Sequence, residues 1–298
     1  PKQLIMLDVS EFAIYKLFEE LKSISLRDSN NLLPLVGSVQ DRHFLEKVFE
    51  RFHVDTTYHA AAYKHVPLME QNVMQCISNN VFGTLNMAEL ASAAKVSNFI
   101  LVSSDKAVRP TNFMGASKRI AEIICQTLQP ANSNTCFATV RFGNVLGSSG
   151  SVVPLFKKQI ANGGPVKITH PDITRYFMTI PEAAELVIQA GSIANGGEVF
   201  VLDMGKPIKI VELAQKMVTL AGYRPVLNSE KSHREDEIEI IFSGLRPGEK
   251  LFEELTYDGN ITGTDHPRIN ITKETPMQTE ELLPLLNDIK TAIQDGNH

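Results

Sequence analysis

Over the first half of the chain, short apolar runs alternate with longer segments whose apolar residues recur every three or four positions. Lys2 to Leu7 reads as a strand ending at Asp8, Leu33 to Val36 as a second, Thr56 to Ala61 as a third, Phe99 to Val102 as a fourth and Thr135 to Phe142 as a fifth. Ser10 can cap the first helix, since its hydroxyl can accept from a free N–H of the opening turn, and Phe12, Leu17, Phe18 and Leu21 recur there at near-helical spacing. Asp41 to Arg51, Ser78 to Ala94 and Ser117 to Gln126 read as the helices that follow. Strands separated by helices imply right-handed crossovers and a parallel sheet covered on both faces. The fold class expected is α/β, with a doubly wound parallel sheet.

Beyond residue 145 the rhythm breaks. Gly147-Ser148-Ser149-Gly150 reads as a loop and Val152 to Ala161 as a helix. Phe177 to Ile180 with Pro181 to Ile193 gives another strand-helix pair, so segment 175–194 is expected to return to the main sheet. Val199 to Leu202 and Ile210 to Ala221 repeat the pattern in a smaller region. The charge-dense stretch Asn228 to Glu239 and the Gly-, Asp- and Thr-rich stretch Asp258 to Pro267 read as solvated loops. Glu280 to Gln294 reads as a closing amphipathic helix. Residues 1–145 thus form one domain, and 146–298 mainly a smaller α/β domain.

Composition narrows the function classes. With 43% apolar residues, the 298-residue chain can bury a sizeable core. A formal net charge of -5 argues against a nucleic-acid surface. No run approaches the roughly 18 apolar residues of a membrane-spanning helix, and no secretory signal stands at the start. Cys76, Cys125 and Cys136 show no CxxC spacing and read as reduced core residues of a cytoplasmic protein. The 8 histidines lack HxH or HxxxH pairing, so no metal site is expected.

Candidate chemistry gathers at Ser103-Ser104-Asp105-Lys106. A hydroxyl, a carboxylate and an ammonium follow the fourth strand at its C-terminal end, where open α/β sheets place their ligands. Lys118 stands on the next helix. Taken alone, such an Asp-Lys pair is more often a solvated turn, and such a lysine a surface residue. Asp8 occupies the place of the acid that binds an adenosine ribose in dinucleotide-binding sheets, or that of a carboxylate bonding a nearby loop. The Gly-x-Gly-x-x-Gly turn that should precede this acid occurs nowhere in the sequence. That turn, with its strand and helix, is therefore expected upstream of residue 1.

Larger motifs stand in order along the chain. They are Tyr-Lys-His-Val-Pro (63–67), Ser-Ser-Asp-Lys-Ala-Val-x-Pro-Thr-Asn-x-Met-Gly-x-Ser-Lys (103–118) and Arg-Phe-Gly-Asn-Val-Leu-Gly-Ser-x-Gly-Ser-Val (141–152). Thr-His-Pro-Asp-x-Thr-Arg-Tyr-Phe-Met (169–178) and Leu-Arg-Pro-Gly-Glu-Lys-Leu-x-Glu-Glu-Leu (245–255) complete the set. Together they closely resemble the nucleotide-sugar 4,6-dehydratases of bacterial polysaccharide and glycan biosynthesis, extended short-chain dehydrogenases acting on UDP-N-acetylglucosamine. A tyrosine that removes a hydroxyl proton normally stands four residues before the helical lysine. Here Met114 holds that place and cannot carry a proton, which resembles the large, membrane-attached branch.

The resemblance implies a Rossmann-like dinucleotide-binding domain, a nucleotide-sugar-binding domain and NAD as cofactor, with NADP the alternative. It implies a cycle in which the sugar C4 loses a hydride to NAD⁺, the C5 proton is removed, water leaves from C6 and the hydride returns to C6. Lys106 would take the C5 proton, as a lysine desolvated among cations can titrate near neutrality. Asp105 would protonate the departing hydroxyl, Ser104 would bond the C4 oxygen, and Lys118 would hold the nicotinamide ribose. Asp8, Ser38, Val39, Ala60, Ala61, Ala62, Asn80, Phe142 and Val145 are the further cofactor candidates. Lys64, His65, Asn144, Ser151, Val152, Arg175, Arg246 and Glu249 are the substrate candidates, with Arg175 and Arg246 offered to the diphosphate. For Arg175 an ion pair with Asp172 is the structural alternative. A UDP-sugar and a second copy of the chain are the implied partners, and membrane helices upstream of residue 1 are implied for the parent protein. A 4-epimerase and a non-catalytic nucleotide-sugar-binding module are the competing readings.

Overall fold

The chain opens with β1 (Leu4–Asp8), α1 (Glu11–Ile24), β2 (Leu32–Val36), α2 (Arg42–Arg51) and β3 (Thr56–His59). Short helices α3 (Val66–Met69) and α4 (Val73–Ile77) pass through a π-helical turn, Ser78–Phe82, into α5 (Gly83–Ala93). Next come β4 (Asn98–Val102), α6 (Phe113–Thr127), β5 (Cys136–Arg141), β6 (Asn144–Val145), α7 (Val152–Ala161) and β7 (Val166–Ile168). They are followed by β8 (Thr174–Arg175), β9 (Phe177–Met178), α8 (Ile180–Ile193), β10 (Val199–Leu202), β11 (Ile208–Lys209) and α9 (Ile210–Leu220). The last elements are β12 (Arg224–Leu227), β13 (Glu237–Phe242), β14 (Thr262–Gly263), β15 (Ile269–Thr272) and α10 (Thr279–Gln294). This computed structural model describes residues 2–24, 31–129, 134–227 and 234–296.

The architecture is the expected α/β one. Six strands bond in the order β14-β15-β10-β5-β4-β3, parallel from β10 to β3 and antiparallel at β15 and β14. Among the described residues β1 bonds only to β2, in parallel. On one face, Leu45, Val81, Ala88, Phe99, Leu101, Ile124 and Phe137 form a core that Leu7 and Val39 join. On the other, α8 lays Ala183, Leu186, Val187 and Ala190 against Ile100, Val140 and Phe200. Covered on both sides, the central strands are nearly continuous apolar runs.

Several elements differ from their sequence reading. Val199 to Leu202 belongs to the main sheet, between β5 and β15, and not to the smaller region; all four residues are buried, as a central strand requires. Of segment 175–194, the helix packs on the main sheet, whereas β9 pairs with β6. α1 turns Ile14 inward and leaves Phe12 71% exposed, so its buried stripe is not centred on Phe12 and Leu17. β13 begins at Glu237 because Ile238 and Ile240 alternate into an apolar core; of the charge-dense stretch, residues 228–233 lie outside the described residues. β14 interrupts the second expected loop.

The smaller region has its own core. β12, β13 and β7 form a parallel sheet on which α7 and α9 pack through Phe156, Ile160, Ile210, Ala214 and Val218. The three cysteines are free. Among the described residues, no helix is long and apolar enough to cross a membrane.

Candidate active site

β4 delivers the chain into the site. Past Val102, the Ser103 and Asp105 N–H groups donate to the Val140 and Phe142 carbonyls, fixing the strand end to β5 and the residue that follows it. Ser104 then caps a 3₁₀ turn, Asp105–Ala107, accepting from the Lys106 N–H. α6 begins at Phe113, earlier than the apolar spacing indicates, because Asn112 caps it by accepting from the Gly115 N–H at 2.8 Å. The first turn of α6 lies so close to the 103–107 loop that a Cβ on Gly115 would overlap the Lys106 carbonyl oxygen. Glycine is required there by proximity.

These elements border a cavity of about 470 Å³. Ser104, Lys106, Met114 and Lys118 line it, and Asp105 lies directly behind, with none of its surface exposed. Lys106 Nζ donates to Asp105 Oδ1 at 2.9 Å, the same oxygen that accepts from Ser104 Oγ. Asp105 Oδ2 is buried and has no hydrogen-bond partner among the described residues. Met114 is buried against Met69 and Cys76, so it fills a small core and forms cavity wall at once.

The two lysines are tuned in opposite directions, and Lys106 not as expected. Burial works against the Lys106 charge, but the Asp105 and Glu253 carboxylates outweigh it and raise its pKa above the ordinary lysine value. Lys106 is therefore not a lysine set among cations. Lys118 is the amine tuned downward: burial lowers its pKa to about 8, against the opposing pull of Glu122. Its Nζ donates to the Val102 carbonyl. Neighbouring His59, buried and bonded to Thr84, is held neutral with a pKa lowered to about 3 by burial and then by Lys118.

Lys64, His65, Asn144, Ser151, Val152, Arg175, Arg246 and Glu249 all line the cavity, as do Ala60, Ala62, Phe142 and Val145. His65 lies against Gly150 across it. The buried Ser151 Oγ has no partner among the described residues. Other candidates stand elsewhere. Ala61 packs into the main core with Val39. Asp8 accepts from the Ser10 N–H, and Ser38 from the Gln40 N–H. Asn80, only 1% exposed, holds both the N–H and the carbonyl of Tyr63 and donates to Ser117, so it fixes the backbone that borders the cavity.

Arg175 does not pair with Asp172, which faces Lys209 instead. Its guanidinium donates to the Thr174, Lys250 and Leu251 carbonyls and lies 3.7 Å from both Glu249 and Glu253. Arg246 is the exposed guanidinium on the cavity wall.

The residues that sequence reading passed over belong to segment 245–257. Glu253 lies 3.6 Å from Lys106 Nζ. Tyr257 donates its hydroxyl to the Ala107 carbonyl, Lys250 donates to the Val108 carbonyl, and Thr111 and Asn112 donate to the Gly248 carbonyl. Gly248 has a φ of +73°, and a Cβ there would crowd Asn112. The segment thus straps the 105–112 loop from outside. Glu253 stands within a quoted motif, but nothing local ties it to Lys106.

Comparison with known proteins shows the family and the fold. The family model described as "Polysaccharide biosynthesis protein" matches residues 1–274. The chain is 52% identical over 268 residues to the capsular polysaccharide biosynthesis protein CapD of Staphylococcus aureus, covering 90% of this chain and 42% of CapD. It is 45% identical over 291 residues to the probable polysaccharide biosynthesis protein EpsC of Bacillus subtilis, covering 97% and 46%. It therefore spans less than half the length of either. A UDP-glucose 4-epimerase of Rickettsia rickettsii is 34% identical over 267 residues, with 89% and 74% covered. Among solved structures, Pen from Bacillus thuringiensis superposes with a TM-score of 0.79 at 31% identity, covering 97% of this chain and 90% of Pen. The dTDP-glucose 4,6-dehydratase DesIV of Streptomyces venezuelae, solved with NAD and TYD bound, shares the fold at a TM-score of 0.69 and 18% identity, covering 86% and 79%.

Proposed function

The chain belongs to the polysaccharide biosynthesis protein family, and from that premise we propose that it is an NAD-dependent UDP-N-acetylglucosamine 4,6-dehydratase. The product would be a UDP-4-keto-6-deoxy sugar for surface polysaccharide or glycan synthesis. The observation that carries the reading is the Asp105–Lys106 pair at the end of β4, with the amine on the cavity and the acid behind it. A carboxyl and an amine a few ångströms apart can serve the two proton movements of an elimination, one at C5 and one at the C6 oxygen.

The cavity fits a nicotinamide cofactor. Ala60 and Ala62 leave room along one wall, Val102, Phe142 and Val145 make it apolar, and Lys118 brings an amine to the same wall. NAD would supply the oxidising and reducing equivalents at C4 and C6. Lys118 would hold the nicotinamide ribose, Ser104 would donate to the C4 oxygen, Lys106 would take the C5 proton and Asp105 would protonate the departing C6 hydroxyl. Arg246 suits the diphosphate better than Arg175, whose donors already serve three carbonyls. The Ser151 hydroxyl, unpartnered among the described residues, would serve a sugar or ribose hydroxyl. Glu249, which already accepts from the Thr169 hydroxyl and the Arg246 N–H, would do so through its remaining lone pairs. In this reading residues 1–145 mainly bind the cofactor and residues 146–298 mainly the nucleotide sugar.

A 4-epimerase is the second reading, favoured by the Rickettsia relative. It has no use for Asp105–Lys106 and would lack its tyrosine at Met114. The deciding experiment incubates the intact protein with UDP-N-acetylglucosamine and NAD⁺ in heavy water, followed by NMR of the product. A C6 methyl group with deuterium at C5 is expected. A sugar that keeps its C6 hydroxyl and is inverted at C4 would overturn the proposal in favour of epimerisation.

A further inference from the structure

We infer that Glu253 is a positioning residue for Lys106, holding its ammonium at the cavity wall and setting its charge from a segment remote in sequence. The inference rests on the reading of Lys106 as the amine that moves the C5 proton. Four charged groups make the arrangement. Lys106 Nζ lies 2.9 Å from Asp105 Oδ1 and 3.6 Å from Glu253 Oε1, and the same Glu253 oxygen lies 3.7 Å from the Arg175 guanidinium. The Glu253 side chain is only 5% exposed and that of Asp105 fully buried, so little water screens the contacts.

Geometry separates the roles of the two carboxylates. Asp105 adjoins Lys106 in the chain and also binds Ser104, so it orients the local turn. Glu253 reaches Lys106 from the strap segment, which is fastened to the same turn through Tyr257 and Lys250. The amine is thus held from both sides, which restricts a flexible four-carbon stem to one position. With Arg175 and its other neighbour Glu249, the cluster contains three carboxylates and two cations. The charged groups facing Lys106 are Asp105 from its own turn, Glu253 from the strap and Arg175 from β8; Lys118 of α6 borders the same cavity. An amine placed so keeps its proton, and removing one carboxylate weakens that hold.

The test uses Glu253→Gln, which removes the charge and keeps the shape, beside Glu253→Asp, which keeps the charge and shortens the reach. The intact protein labelled with ¹³C at lysine Cε is titrated by NMR, and the Lys106 resonance is identified by its loss in Lys106→Arg. In Glu253→Gln the Lys106 titration should move to lower pH, and the pH at which turnover begins to rise should move the same way. Glu253→Asp should stay near wild type in both. Should Glu253→Gln fold and titrate at Lys106 as wild type does, the inference is overturned. Should Glu253→Gln not fold, Glu253→Asp decides: a wild-type titration supports the charge assignment, and one displaced as far as that of Lys106 in Asp105→Asn overturns it. Wild-type protein that makes no 6-deoxy product would sink the dehydratase reading without moving the NMR result, so the two failures are distinguishable.

Discussion

Lys118 Nζ lies 2.5 Å from the carbonyl oxygen of Val102, the last residue of β4. A long cationic side chain is thereby folded under the strand end and buried to 6% exposure. The bond satisfies one donor of the ammonium, while burial withdraws it from water and lowers its pKa from 10.5 to about 8. Lys118 thus titrates closer to neutrality than Lys106, whose pKa the Asp105 and Glu253 carboxylates raise.

That burial has a stability consequence whose sign can be worked out. Below about pH 8, folding must bury a charged Lys118. Between about 8 and 10.5 the folded state has released the proton while the unfolded chain still holds it, so stability rises with pH across this window. The full difference corresponds to about 3 kcal/mol at 1.36 kcal/mol for each pH unit. Replacing the amine with an apolar chain removes this burden but leaves the Val102 carbonyl unpaired, at about 1–3 kcal/mol. Lys118→Met is expected to equal or exceed wild type in stability at pH 7 and to lose that advantage by pH 10.5. Urea unfolding of both proteins at several pH values measures the trend; an advantage that grows with pH would contradict the assignment.

A buried ion network beneath the site yields a second prediction. Arg141, with no exposed surface, bonds Glu122 twice and also Glu274, and Arg119 binds the same two carboxylates. Tyr257, which bonds the Ala107 carbonyl, lies under both guanidinium groups. Removing one partner of a buried pair typically costs about 3–5 kcal/mol, because the other charge is stranded. Arg141→Met should cost that much at pH 7. In wild type, burial opposes the Glu122 charge, but Arg141 and Ser103 hold its pKa below the ordinary value, so their contribution is present above about pH 4.5 and lost on acidification. The variant's Glu122 can relieve its burial by taking a proton, so its deficit should shrink as pH falls. Denaturant titration at pH 5 and pH 7 checks this, and a deficit that widens at pH 5 would refute it.

How much of this was readable in advance depends on distance along the chain. The Phe99–Val102 run announces a central strand by itself, and the hydroxyl, acid and amine after it lie within a few residues, so the heart of the site was legible. Val199 to Leu202 looks the same locally, but its place beside β5 depends on the pairing of Val199 with Thr139, which leaves no local trace. The raised pKa of Lys106 comes first from its chain neighbour Asp105, and the second carboxylate, Glu253, arrives from the far end of the chain and leaves no local trace. Asn80 shows the converse case, a polar residue whose side chain is consumed in holding Tyr63.

The catalytic assignment predicts separable losses. Lys106→Ala and Asp105→Asn should each abolish dehydration while UDP binding stays nearly intact, since both lie at the sugar end in the proposed orientation. Turnover and calorimetric UDP affinity measured together separate the two effects. Retention of more than about a tenth of the wild-type rate, less than about 1.4 kcal/mol in the barrier, would exclude an essential proton-transfer role. Because the carboxylates raise the Lys106 pKa, the neutral amine is scarce at pH 7, and turnover should climb with pH through the neutral range. A rate that falls from pH 6 to pH 8 would assign the base elsewhere.

Met114→Tyr restores the hydroxyl that tyrosine-bearing relatives carry. Met114 is 3% exposed and packs with Met69, Cys76 and Val66, while part of it faces the cavity. A phenol ring is bulkier and stiffer, and forcing it into this small core costs about 1–3 kcal/mol unless it turns toward the cavity. The variant should fold with a modestly lower Tm. Its turnover should not increase greatly, because in the proposed mechanism Ser104, Asp105 and Lys106 already provide the groups at C4, C5 and C6. Product NMR and initial rates on both proteins test the expectation. A rise of about a hundredfold, about 2.7 kcal/mol in the barrier, would show that Met114 leaves the site without a needed base. If the product of that faster variant were the C4 epimer, the epimerase reading would replace dehydration.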